Sequence, residues 1–335
     1  VSGRAIFNKP LTRIIPALLV MLGLAFILSL AVGSSSAGLS DLLALSGGAS
    51  STAGGIILEL RLPRALMALF AGIALASGGC VYQALLRNPL AEPYILGVSG
   101  GAAVGAIFGA LVGLHSRPAT VAMSFVFAML AMIFVMRVAR RRNYFLDSNI
   151  LILAGVVLNT LFSALIVLFL SLIRDPQSQT VFFWLMGDLS SVTLAEAMAV
   201  AFPVLSVSAV LCLYGFRLNL IHLGEDAAKQ AGITVEKDKW ILFALASLAA
   251  ALTVSFTGII GFVGLLVPHA ARRLFGADNR RLIPTAALCG GAFLLFCDTL
   301  ARVVASPVEL PTGVITAAFG VPFFLILLWR ERNAP

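Results

Sequence analysis

Charged residues are scarce in this chain, and their positions decide what chemistry is open to it. Asp298 and Arg302 stand four residues apart in an apolar run, the spacing at which an acid and a base meet on one helix face. An acid in such a run is either half of a structural pair or one member of a proton or ion relay, and a relay needs several further partners. Other ionisable residues deep in apolar runs are few, which argues against a proton- or sodium-driven carrier. No G-x-x-x-x-G-K-[ST] loop, nucleophile elbow or H-E-x-x-H helix occurs, so no catalytic residue is assigned. His115, His222 and His269 are scattered, and no metal site follows from their spacing. Cys80, Cys212, Cys289 and Cys297 lie in apolar runs without a C-x-x-C pair and read as small buried hydrophobes.

The densest charge falls between Arg217 and Trp240, RLNLIHLGEDAAKQAGITVEKDKW, flanked by two long apolar segments. Leu223, Ala227, Ala228 and Ala231 recur at helical spacing, which predicts a short amphipathic helix stopped by Gly232 and followed by a second short turn. Either this is a solvated loop, or it is a docking surface for a soluble partner.

The elements that must position these residues follow from composition. The chain has 335 residues, 60% hydrophobic and 11% charged, with a mean hydropathy of +1.03. Soluble domains carry about 25% charged residues, so this is an all-α polytopic membrane protein forming one domain over 1–335. Its net charge of +8 reads as topology, and no module for nucleic-acid binding accompanies it. Apolar runs predict about ten spans: 14–32, 63–86, 94–114, 119–136, 150–172, 196–216, 240–257, a short tilted or partly buried helix in 258–273, 282–304 and 311–329. The first run follows Arg4, Lys9 and Arg13 and is too long for a typical signal-peptide core. The segment 39–60 is expected to be a polar-to-mixed connector. Arg87–Pro93 is expected to be a turn bracketed by Pro89 and Pro93. Gly97, Gly101, Gly105 and Gly109 predict a small-residue face for close helix packing. Phe182, Phe183 and Trp184 fit a membrane-interface belt or a re-entrant turn. With an inside N-terminus, 18 of the 23 Lys and Arg fall on inside connectors, which predicts both termini and the segment 217–240 in the cytoplasm.

The chain resembles the FecCD-type permeases of ATP-binding-cassette importers for ferric siderophores, haem and vitamin B12. The resemblance is carried by RLPR at Arg61–Arg64, QALLRNPLAEPYILGVSGGA from Gln83, LAGVVLN from Leu153 and LGEDAAKQAGI from Leu223. It continues with GIIGFVGLLVPHAARRLFGADNRRLIP from Gly258, DTLAR from Asp298 and ELPTGVITAAFGVPFFLILL from Glu309. It implies a vitamin B12 importer permease-like fold in the cell inner membrane. It also implies a homodimer, two cytoplasmic ATPases that hold Mg-ATP, and a periplasmic or lipid-anchored binding protein. The chain itself would bind no cofactor, and its other contacts would be with membrane lipid.

By resemblance, 217–240 is a pair of coupling helices, with Leu223, Gly224, Glu225, Ala228 and Gly232 on the ATPase-contacting pattern. Asn88 and Leu90, with Ser148 and Asn149, match a cytoplasmic gate, although Asn-Pro favours turns in any case. Arg61, Arg64 and Arg302 match the arginines that meet acids of the binding protein; the plain alternative is anchoring of span ends at lipid headgroups. Asn159, Thr160, Ser163, Thr316 and Phe319 are candidate pore lining. His269, in VPHAAR, is assigned to packing behind the coupling helices. The cargo is a metal chelate, with molybdate as a minor possibility. The alternatives from other classes are an ion-coupled secondary transporter of a small solute and a structural or export-related membrane subunit.

Overall fold

The computed structural model describes residues 11–35, 38, 41, 52–140, 147–172 and 177–332. Arg4 and Lys9, most of the connector 39–51, Arg141, Arg142 and Arg174 lie outside the described residues. Thirteen α-helices follow in order: α1 (Leu11–Ala31), α2 (Leu62–Leu85), α3 (Val98–Leu111), α4 (Arg117–Val138), α5 (Ser148–Leu172), α6 (Gln177–Leu185), α7 (Leu194–Leu213), α8 (Gly215–Leu223), α9 (Glu225–Gln230), α10 (Val235–Thr257), α11 (Val263–Phe275), α12 (Asn279–Val303) and α13 (Thr312–Arg332). Seven of the described helices are long and apolar enough to cross a membrane; α3 and α13 are shorter apolar helices, and α11 is shorter still. These ten helices fall on the ten segments expected, seven of them with the length and apolar character of a span.

Helix α2 is the axis of the fold. Of its 24 residues, 21 are buried, so it is apolar or small on every side rather than along one stripe. Helices α7, α10, α11 and α12 surround it, and α1 lies against α12. Small residues permit that crowding: a Cβ on Gly72 would come within 2.2 Å of the Gly290 carbonyl oxygen, so α2 and α12 touch backbone to backbone. Two hydroxyl pairs cross-link the interior, Ser77 with Ser208 at 3.1 Å and Tyr82 with Ser247 at 2.5 Å. In lipid such bonds contribute on the order of 0.6 kcal/mol each, so close packing dominates.

The glycine face of α3 forms as expected at three of its four positions. Gly101 and Gly105 lie against the Phe127 and Met123 carbonyls of α4, and Gly109 against the Met123 side chain. Gly97 departs from the pattern. With φ +77 it closes a 3-10 turn, Pro93–Leu96, and lies on Leu158 of α5.

The second span begins earlier than expected. A helical turn, Thr52–Gly55, and a π-turn, Ile56–Arg61, run straight into α2, and the Leu62 N–H reaches five residues back to the Ile57 carbonyl. Pro63 sits in the first α-helical turn, where a missing N–H is tolerated. Arg61 therefore lies inside the helical segment rather than just before it, and Arg64 lies in the first turn of α2. Helix α6, nine residues long, is too short to cross. Its Phe182 and Phe183 are exposed, whereas the Trp184 carbonyl lies against Gly258 at the end of α10.

Candidate functional site

Two ends of the helix stack gather charge. At the Arg87 end, α8 and α9 form the expected pair, but the break between them falls at Gly224. Leu223 therefore ends the first helix instead of sharing a face with Ala227 and Ala228. Ala228 is buried, while Leu223 is 77% exposed. Gly232, at φ +81, ends α9 as expected: its N–H donates to the Lys229 carbonyl, and the Ile233 N–H to the Ala228 carbonyl. That double bond pattern is a Schellman cap and needs a left-handed residue.

Three ion pairs staple this helix pair to the first turns of α10. Lys239 Nζ lies 2.5 Å from Glu225 Oε1, Lys229 Nζ 2.9 Å from Glu236 Oε1, and Arg217 Nη1 3.1 Å from Asp238 Oδ1. Glu225 is thus committed internally to a buried lysine and is not an open docking charge; the exposed surface is made by Leu223, Asp226, Ala227, Lys229 and Gln230. Asp278 caps α12 and accepts from Asn219 Nδ2 at 2.6 Å, which ties α8 to α12. The Arg280 side chain, helped by Asn219 and the Arg280 N–H, holds the Asp278 carboxyl down at about 2 against a smaller effect of burial. These tethering residues were missed in the sequence because their partners lie on other elements.

The gate candidates adjoin this assembly. Arg87, at φ +48, donates from Nη2 to the Ile221 carbonyl of α8 at 3.1 Å, so the turn after α2 bears directly on α8. Within that turn Asn88 Oδ1 accepts the Leu90 N–H at 2.9 Å, and Leu90 is exposed. This is an Asx-turn, the plain turn chemistry expected of Asn-Pro, and it also fixes how Leu90 is presented. Ser148 and Asn149 open α5, capped by Asp147, whose Oδ1 accepts the Asn149 N–H at 3.0 Å.

The pore candidates divide. Thr160 and Ser163 lie on the exposed side of α5, whose only buried residues are Leu151 and Gly155. Asn159 is half-buried and donates to the Tyr94 carbonyl at 3.4 Å. On α13, Phe319 is exposed beside Phe293 and Phe296. Thr316 is fully buried and bonded to the Gly313 carbonyl. The rotation of α13 turns Thr316 into the stack, so within this chain it does not line an open surface.

At the Arg64 end the three arginines expected to face a partner are buried: Arg61, Arg64 and Arg302 are 4%, 5% and 2% exposed. Arg64 pairs with Asp298 at 2.7 Å and Glu309 at 2.5 Å. Arg302 pairs with Asp298 at 3.2 Å and donates to the Ser29 hydroxyl and to the Ser29 and Val32 carbonyls. Arg61 donates to the Leu30 and Ser35 carbonyls and the Ser35 hydroxyl. Thr312 donates to Asp298, and Ser34 to Glu309. The physical reason is that acids and carbonyls inside the stack replace water for them: Asp298 between α2 and α12 takes Arg64 and Arg302, and the end of α1 takes Arg61, which the π-turn keeps within the helix. Asp298 accordingly stands as the hub of a structural pair network. Glu309 is the member nearest solvent. Burial pushes its pKa up, but Arg64 and the Ser34 hydroxyl more than offset this and hold it below the usual carboxylate range. A cavity of about 180 Å³ opens onto Arg61, Arg64, Arg302, Glu309, Ser34 and Ser190.

Comparison with known proteins places this geometry. The sequence profile of the FecCD transport family matches residues 19–330. The chain is 41% identical over 291 residues to the cobalamin import system permease protein BtuC of Halobacterium salinarum, covering 85% of this chain and 76% of that protein. It is 36% identical over 284 residues to the hemin transport system permease protein HmuU of Yersinia pestis, covering 83% of this chain and 84% of that one. A solved structure of a metal-chelate-type ABC transporter in an inward-facing conformation superposes with a TM-score of 0.85 at 31% identity, covering 95% of this chain and 99% of that chain.

Proposed function

This chain belongs to the FecCD transport family, and on that premise we propose that it is the permease subunit of an ATP-binding-cassette importer moving a metal chelate such as cobalamin, haem or a ferric siderophore into the cytoplasm. The observation that carries the reading is the stapled pair α8–α9. It is held rigid by three ion pairs, presents an exposed Leu223, and bears on the gate turn through Arg87. ATP hydrolysis belongs to a separate cytoplasmic ATPase that seats on this pair, with Leu223, Gly224, Ala228 and Gly232 shaping the contact. Two copies of the permease, two ATPases and an external binding protein make up the importer in the inner membrane, with both termini cytoplasmic.

The mechanism is a push on a rigid element. Closure of the ATPases displaces α8–α9, and because α10 and the turn 87–90 are bonded to that pair, they move with it. The exposed faces of α5 and α13, with Thr160, Ser163 and Phe319, line the path between the two copies, and Asn88, Leu90, Ser148 and Asn149 close its cytoplasmic end. A ligand shifts such an equilibrium only by its differential affinity for the two states, so ATP must hold the closed ATPases more tightly than the open ones. On the outer face the binding protein meets the cavity at Arg61, Arg64 and Arg302. There an incoming carboxylate competes with Glu309 for Arg64 and takes up Arg61, which has no carboxylate partner among the described residues.

The test is co-expression with the ATPase and binding protein, reconstitution into vesicles, and uptake of labelled cyanocobalamin and haemin with and without ATP. ATP-dependent accumulation that survives collapse of ion gradients is expected. Uptake that follows a proton or sodium gradient and ignores ATP would instead establish the secondary-carrier reading.

A further inference from the structure

The turn between α10 and α11 holds an aromatic residue in a backbone conformation that costs energy. Phe262 has φ +68 and ψ −20, left-handed values that a bulky side chain adopts only where its surroundings enforce them. Those surroundings are backbone on two sides. Before it, Gly258 is also left-handed, and a Cβ there would strike the Trp184 carbonyl of α6. Ile259 lies with its carbonyl against Gly313, the second residue of α13, whose N–H donates to the Gly187 carbonyl at 3.3 Å. The Phe262 N–H faces the carboxyl of Glu92, at the end of the gate turn, and its carbonyl accepts the Leu266 N–H at 2.7 Å to start α11. The base of the ring then lies against Gly320 of α13, where a Cβ would come within 2.3 Å of Cγ and Cδ1.

Helix α13 needs such a seat. Among the described helices it packs chiefly against α11 and α12, while Val314, Phe319, Val321, Leu325 and Ile326 are exposed. The turn that carries Phe262 is the far end of α10, and the near end of α10 is where α8 and α9 are stapled by Glu236, Asp238 and Lys239. One unbroken 23-residue helix and the five-residue turn 258–262 therefore join the stapled pair to the wedge on α13.

We propose that Phe262 is a positioning residue: a ring, held in a strained turn and seated in the notch at Gly320, that makes α13 follow the nucleotide-driven movement of α10. The inference rests on the importer reading. Its content is a size match between two positions, 262 and 320, and a direction of transmission from α10 to α13.

The test uses the assembled transporter, with its ATPases, in a background whose native cysteines are replaced. A single cysteine at Val321 on the exposed side of α13 is labelled with a water-soluble maleimide in the absence of nucleotide and after trapping with ATP and vanadate. With Phe262 intact, the two labelling rates differ by about tenfold, as a population shift requires. F262G removes the ring and relaxes the left-handed backbone, and its melting temperature and ATP hydrolysis serve as the folding controls. The difference then falls below about twofold while ATP hydrolysis and the melting temperature hold. G320A, which strikes the ring, gives the same loss. Because the Phe262 Cβ itself would lie 2.6 Å from a Cβ at 320, the size-swapped double variant is F262G/G320A; it restores more than half of the wild-type response, which a merely structural role of either residue does not produce. An α13 whose labelling ignores nucleotide with Phe262 intact overturns the proposal. So does F262G with a full response, or a double variant whose loss is the product of the two single losses. The importer reading is tested separately by cyanocobalamin and haemin uptake in the same vesicles: absent uptake with a nucleotide-responsive α13 removes those cargoes and leaves the wedge standing.

Discussion

The two charged ends of this permease use the same side chains in opposite ways. At the Arg64 end, three arginines and two carboxylates are packed among four chain segments, with Asp298 fully buried between Arg64 and Arg302. At the Arg87 end, the pairs lie along one rim between α8–α9 and α10, and two of the three have a partner about half exposed, Lys229 at 46% and Arg217 at 52%. A desolvated charge cannot lose its partner without a large penalty, whereas a solvated one falls back on water and salt. The first end is a lock; the second is a set of staples that hold a surface in shape while leaving it wet. A part that must be pushed by a soluble motor belongs at the second kind of end.

Removing the hub of the lock should have the largest effect. Asp298→Ala leaves Arg64 and Arg302 facing each other in the interior, at a cost of about 3–5 kcal/mol. The purified protein should melt far below wild type or fail to accumulate. A melt within a degree of wild type would show that the cluster is hydrated and that the contrast drawn above is false.

The tightest staple comes next. Lys239 is 4% exposed and Glu225 25% exposed, so Lys239→Met should cost about 2 kcal/mol, in the range of a charge-assisted hydrogen bond. Hydrogen exchange should rise over residues 225–240 and stay unchanged around Asp298. Charge reversal at Glu225 would set two lysines together and damage the helix pair itself, so it is a poor probe of docking.

Asp278→Ala removes the cap of α12 and the Asn219 tether, for a loss of about 1 kcal/mol. The folded carboxyl lies near pH 2, below its unfolded value of about 3.9, so its contribution is present above the unfolded value and is lost as pH falls through the folded one. The wild-type minus variant difference in melting temperature should therefore be flat from about pH 5 to 8 and shrink only in strong acid. A difference that changes near neutrality would mean that another group holds α12.

The smallest effect on stability, and the sharpest on function, is expected at Leu223. It is 77% exposed, so Leu223→Asp should leave the melt unchanged while the ATPase no longer co-purifies. Retained co-purification with lost stability would place Leu223 among the staples and not on the docking surface.

Much of this layout could be read from the residues. Ten apolar segments, the helix stop at Gly232 and the glycine face on α3 are local signals, set by side-chain size and backbone freedom within a few residues. The burial of Arg61 and Arg64 was not legible because hydropathy weakens at Glu59 and Arg61, while the helix does not; a π-turn carries it through. Thr316 was misplaced because one apolar helix of low asymmetry gives no sign of its rotation. The partners of Arg64 lie 234 and 245 residues away, and nothing near RLPR announces them.

That separation has a consequence for how the protein is made. At about 5–20 residues per second, the ribosome needs roughly 10 to 50 seconds to pass from Arg64 to Asp298 and Glu309. Throughout that interval the helix destined for the centre of the molecule carries buried-type arginines with no acids to meet them. The nascent chain must keep this segment at the translocation channel or near the headgroups until α12 arrives, so the lock at the Arg64 end is among the last things biosynthesis closes.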